Sequence, residues 1–129
     1  MSSDRTLRAW FSAQIKPLLP TGWRYIPNQD TPATITVTTV VYKLLEIEPL
    51  PEAPIGANRN TIVLTVLSPH EDDVKAEDAL DNEVIDLVTA LDGHGQVSWS
   101  GAKKARDPKT DRLAWDVTVT VITTRSKRS

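Results

Sequence analysis

The sequence predicts an α+β domain in which helices pack on one face of a mainly antiparallel sheet. Three observations carry this. Residues 69–93 hold Leu80, Val84, Leu87, Val88 and Leu91 at the i, i+4, i+7, i+8, i+11 spacing of a single helical face, with mostly acidic or small residues between them. On either side, residues 33–67 and 96–124 contain runs that alternate apolar with polar residues at period 2. A shorter helical stripe comes first. The order therefore reads helix, β-hairpin, helix, β-hairpin.

Each element has its own signals. Residues 4–19 place Leu7, Trp10, Phe11, Ile15 and Leu18 on one side of a helix, with Ser3 or Asp4 as cap and Pro17 and Pro20 near its end. Residues 21–27 suit a short strand with Trp23 and Tyr25 on one side, and 28–32 have turn chemistry. The run ATITVTTVVYKLLEI at 33–47 predicts one long strand whose alternation slips near Val40 and Val41, as a β-bulge there would make it. Residues 48–60 contain three prolines and a glycine and predict a projecting loop, after which 61–67 return as a strand.

Ser68 reads as the N-cap of the central helix with Pro69 at its first position, and Gly93 as a left-handed C-cap. Residues 96–104 form a strand with Val97 and Trp99 on one face, and 105–111 a charged turn. In residues 112–124, Leu113, Trp115, Val117, Val119 and Val121 alternate strictly. A basic tail, 125–129, follows.

At 129 residues the chain suits one domain with a substantial core, and 40% hydrophobic with 25% charged residues is an ordinary globular composition. It has no cysteine, which excludes disulfides, thiolate zinc sites and cysteine nucleophiles. The start, MSSDRTLRAWF, lacks a signal peptide's apolar run, and no stretch approaches a membrane span, so synthesis in a cytoplasm is expected. The net charge of −2 hides an asymmetry. Residues 71–92 carry nine acids against one lysine, net −8, whereas the rest carries 14 basic and 8 acidic residues, net +6. Such a chain shows different potentials on different faces, as assembly subunits do.

No catalytic pattern emerges. His70, Glu71, Asp72 and Asp73 are adjacent rather than spaced as metal ligands, and neighbouring helical residues point to different sides. Ser68, His70 and Asp72 have the residue types of a triad without its convergence from separate elements. His94, between two glycines, reads as part of a solvated helix-capping segment, and the same glycines follow a helix where a phosphate loop would precede one. No enzyme activity, cofactor or metal is expected.

The candidate functional residues are instead those of interfaces. Asp78, Asp81 and Asp86 lie on the acidic helix, and Lys103, Lys104, Arg106, Lys109 and Arg112 form a basic hairpin tip. Ile55 and Arg59 lie in the projecting loop. A neighbouring copy's acidic helix is one partner for the basic tip, which would make a head-to-tail contact; DNA is another. Of the four tryptophans, Trp10 and Trp115 have core neighbours, while Trp23 and Trp99 suit either core or a subunit contact.

Taken together, the tryptophan-bearing first helix (LRAWFSAQIKPLLP), the long first hairpin (TITVTTVVYKLLEI to TIVLTVLSP), the acidic helix (DDVKAEDALDNEVIDLVTALD) and the final hairpin (QVSWSGAKK to RLAWDVTVTVIT) resemble the tail terminator proteins of long-tailed bacteriophages, also called tail-completion or tail-to-head joining proteins. The resemblance spans nearly the whole chain and lies in element order and texture. It implies a virion protein, made in the host cytoplasm, of which six copies form a ring that caps the completed tail tube. That ring stops tube growth, meets the head connector and lets DNA pass through its lumen. No contact residue is carried over, since the family has no motif. Two other readings remain open at this point: another head-tail connector or tail-tube component, and a small nucleic-acid-binding module that uses the basic tip and tail.

Overall fold

In a computed structural model of the chain, residues 6–50 and 57–124 are described. Helix α1 (Leu7–Ile15) begins where the Thr6 hydroxyl oxygen accepts the Ala9 N–H at 3.0 Å. The caps expected from sequence, Ser3 and Asp4, lie outside the described residues. α1 tightens into a 3-10 turn, Lys16–Leu18, where Pro17 lacks the N–H that another α-helical turn would use. The chain continues through β1 (Arg24–Ile26), β2 (Thr39–Pro49), β3 (Ala57–Leu67), α2 (Asp73–Asp92), β4 (Ser98–Arg106) and β5 (Leu113–Thr124). The result is an α+β fold with one mixed five-stranded sheet in the order β1-β2-β3-β5-β4, in which β1 runs parallel to β2 and the other pairs are antiparallel.

The core follows the two periodicities. Leu80, Val84, Leu87 and Leu91 of α2 are buried as their spacing requires, joined by Ala76, while Val88 is partly buried against them. They share one cluster with Phe11 and Ile15 of α1, Val40 and Tyr42 of β2, and alternate residues of β3 and β5 from Ile62 to Val66 and from Val117 to Val121. Each large aliphatic side chain buried this fully contributes about 1.5–3 kcal/mol. Phe11 meets Tyr42 with ring centroids 5.6 Å apart, tilted by 52°, which is a favoured aromatic arrangement.

Several expectations need correction. Residues 33–38 do not extend β2, because β3 ends at Leu67 opposite Thr39, where Ser68 and Pro69 turn the chain away, so the earlier residues have no strand to pair with. Ile35 instead packs with Val41, Leu67 and Ala114 in a second, smaller cluster. The bulge in β2 lies between Leu44 and Glu46, not at Val40 and Val41. The loop expected at 48–60 is shorter, since β2 runs to Pro49 and β3 starts at Ala57, and residues 51–56 lie outside the described residues.

α2 starts later than expected. Its N-cap is Asp72, whose carboxylate accepts the Val74 N–H at 2.8 Å, and the Ser68 hydroxyl oxygen accepts the His70 N–H in the turn before it. Gly93 ends α2 in right-handed geometry with φ −84°, so its glycine freedom is not used. Positive φ appears instead at Gly22, in the turn before β1, and at Asp111, in the turn between β4 and β5.

Candidate functional site

The acidic face of α2 and the basic β4–β5 hairpin, for which a contact between copies was one of the readings open from sequence, meet within one chain. β4 contains a bulge between Trp99 and Gly101, and the extra residue shifts alternation so that Ala102, Lys104 and Arg106 share the side of Trp99. That side faces α2. Lys104 donates to Glu77 at 2.6 Å and to Asp81 at 3.3 Å, and Arg106 donates to Asp73 at 2.6 Å. Arg112 reaches the Pro69 carbonyl at 2.8 Å and Glu71 at 3.5 Å. The hydrogen bond from Lys104 to Glu77 holds its ammonium above the usual lysine range, and the Asp73 carboxylate does the same for the Arg106 guanidinium.

The tryptophans complete this arrangement. The indole N–H of Trp115 donates to Asp81 at 3.1 Å, that of Trp99 to Asp92 at 2.5 Å and that of Trp23 to Glu83 at 3.3 Å. Lys104 also stands 5.5 Å above the Trp115 ring, a cation–π distance. With Asp72 used as a cap, seven of the nine acids between 71 and 92 thus have partners in their own chain. Among the described residues, Asp78 and Asp86 are the two without one. They lie on the outward side of α2 with Ile85, which is 58% exposed.

The remaining candidates separate. Lys109 donates to the Thr31 carbonyl, which ties the β4–β5 turn to the segment before β2. Lys103 is exposed, opposite Asp116 in the sheet register and away from α2. Arg59 lies in β3 and pairs with Glu48 at 3.5 Å across the hairpin. Ile55 and the basic tail 125–129 lie outside the described residues. Three cations of the basic tip are therefore paired within the chain: Lys104 and Arg106 with acids of α2, and Arg112 with Glu71 just before it. His94 is a fastener, with its Nδ1 accepting the Gln96 N–H and its Nε2 bonded to Gln14 of α1, both at 3.0 Å. Among the described residues no group of three or more histidine, cysteine or acidic side chains is placed to hold a metal ion. No helix among them is long and apolar enough to cross a membrane.

What sequence reasoning missed is a groove of about 380 Å³ between α2 and β4. Its walls are Val84, Ile85 and Val88 from the helix and Trp99, Ala102 and Trp115 from the sheet, and Asp81 and Lys104 stand in its rim. β4 is the last strand of the sheet, so the groove opens at an edge. Among the described residues, a second apolar surface is left uncovered at the other flank. β1 covers the edge of β2 only from Thr39 to Val41, and past Tyr42 that strand carries Leu44, Leu45 and Ile47, the last two 60% and 58% exposed. A signal for the groove was present in the sequence, because Lys104 and Trp115 are equidistant from the centre of the β4–β5 turn, but the bulge conceals which side they share. No protein-family model matches this chain, and no curated protein matches it.

Proposed function

We propose that the protein is a structural subunit of a bacteriophage tail, a terminator that forms a ring on the completed tube and joins it to the head connector. In this reading both helices cover one face of the sheet in helix–hairpin–helix–hairpin order. DNA crosses the lumen without sequence-specific contacts, and the ring, assembled in the host cytoplasm, ends at the head-proximal end of the tail.

One observation supports it most. Among the described residues, two different apolar surfaces are left uncovered, the α2–β4 groove and the outer part of β2, at opposite flanks of one sheet. A subunit of a ring needs this heterologous pair, whereas a two-fold dimer needs one self-complementary patch. The mechanism is surface complementarity with no bond chemistry.

Light scattering over a range of concentrations, with electron micrographs of the same samples, tests the reading. A particle of about six chains with a central hole is the expected result, by the closed symmetry of such assemblies. A strict monomer that forms no ring, either alone or with tail tubes, overturns it.

A further inference from the structure

We propose that the Asp92–Gly93 bond, where α2 ends, is a self-modifying site: in the folded chain Asp92 isomerises slowly to isoaspartate, at a rate set by the Trp99 indole.

The sequence singles out this bond. It is the only place in the chain where an aspartate or asparagine precedes a glycine. The reaction joins the Gly93 amide nitrogen to Cγ of Asp92, and a residue without Cβ crowds that approach least. The nitrogen loses its proton, the N–Cγ bond forms, a C–O bond of the carboxyl group breaks and one water leaves. A five-membered succinimide results. Water then adds back at one of its two carbonyls. Addition at Cγ breaks the new bond and restores aspartate. Addition at the main-chain carbonyl breaks the original peptide bond, and the chain now runs through Cβ and Cγ. No oxidant, cofactor or second reactant is needed, and the product has the mass of the parent.

The fold supplies both access and restraint. Asp92 and Gly93 are exposed, so water reaches both carbonyls. Nothing in the local backbone calls for glycine. Its φ of −84° suits any residue, and among the described residues a Cβ there would meet only the Ala90 carbonyl oxygen, in ordinary contact at 3.7 Å. Two contacts oppose ring closure. The Gly93 N–H donates to the Ala90 carbonyl at 3.2 Å, which keeps the last turn helical and the nitrogen turned away from the Asp92 side chain. The Trp99 indole donates to the Asp92 carboxylate at 2.5 Å and holds that group on the β4 side.

These restraints differ in strength. The first belongs to a helix end, and helix ends fray. The second is a hydrogen bond to a charged acceptor and comes from a strand of the sheet. The indole is thus what still holds the carboxyl group when the last turn opens. Isomerisation lengthens the main chain by one carbon and moves the free carboxylate to Cα. Trp99 then loses its acceptor, and one wall of the α2–β4 groove loses its tie to the helix.

The test is to store the native protein at neutral pH, below its unfolding temperature, and to map its peptides by chromatography and fragmentation mass spectrometry. Isoaspartate at position 92 is expected, and its absence overturns the proposal. Gly93→Ala, which the backbone accommodates, should slow the reaction by about tenfold or more; an equal rate overturns the assignment to this bond. Trp99→Phe keeps an aromatic ring and removes the donor, so it should raise the native rate about fivefold, the weight of one hydrogen bond. In concentrated urea, where the contact is lost from both chains, parent and Trp99→Phe should react equally fast, and faster than the native parent. Equal rates in the folded state, or a difference that persists in urea, overturn the role of the indole. Trp99→Leu serves in the same comparison if Trp99→Phe does not fold.

Discussion

Asp81 and Asp86 are five positions apart on the same helix, and reversing their charge should have opposite meanings. Asp81 binds both Lys104 and the Trp115 indole, so Asp81→Lys leaves a half-buried N–H unpaired and sets two ammonium groups together. A loss of about 1–3 kcal/mol is expected, read by urea denaturation. Asp86→Lys touches no partner among the described residues and should stay within about 0.5 kcal/mol of the parent. Tyr25 gives a pH-dependent case. Burial pushes its phenol up to about 12, partly opposed by its hydrogen bond with Ser12. The folded chain therefore keeps a proton that the unfolded chain loses near pH 10. This stabilisation is complete below about 10 and is lost as pH rises towards 12. Tyr25→Phe should raise the alkaline unfolding midpoint, followed by circular dichroism, without abolishing the transition, because burial shifts Tyr42 upward as well.

At the scale of elements, the buried stripe of α2 was legible because 3.6-residue spacing depends only on local geometry. Its N-terminus was not, since Ser68 and Asp72 are both good caps and the choice depends on where β3 releases the chain. Asp72→Ala should cost about 1 kcal/mol, measurable as a lower urea midpoint at constant slope, whereas Ser68→Ala leaves the helix start in place. The strands were legible as strands, but their faces were not. In β4, reading the alternation straight on from Trp99 puts Lys103 towards α2. The extra residue at Ser100 puts Lys104 and Arg106 there instead. A bulge is set by the partner strand and leaves little trace in one strand's own sequence. The same holds for Leu45 in β2, and so both the groove and the bare stretch escaped a reading by pattern.

For the whole molecule, the charge asymmetry was legible as a sum but not as a contact. A segment at −8, residues 71–92, in a chain otherwise at +6 invites an interface between copies, yet four of its nine acids, Glu71, Asp73, Glu77 and Asp81, pair with Lys104, Arg106 and Arg112 of the β4–β5 hairpin in the same copy. These are exposed pairs, and each contributes little on its own. Together they orient α2 over the edge strand. An interface anchored by apolar side chains should also respond weakly to salt. Raising ionic strength from about 0.05 to about 0.5 M shortens the screening length several-fold, yet the association measured by light scattering should fall by less than about threefold. A contact made of opposed charged faces would fall far more steeply.

Three of the four indoles donate to carboxylates of α2 or its last residue, and they come from three separate parts of the chain: the segment before β1, β4 and β5. Intrinsic tryptophan emission is therefore a spectroscopic gauge of one event, the seating of the long helix, while the infrared amide band of the five strands reports the sheet. If the helix can lift while the strands hold, the emission will shift to the red before the infrared band changes; if the two move together, helix and sheet form a single cooperative unit.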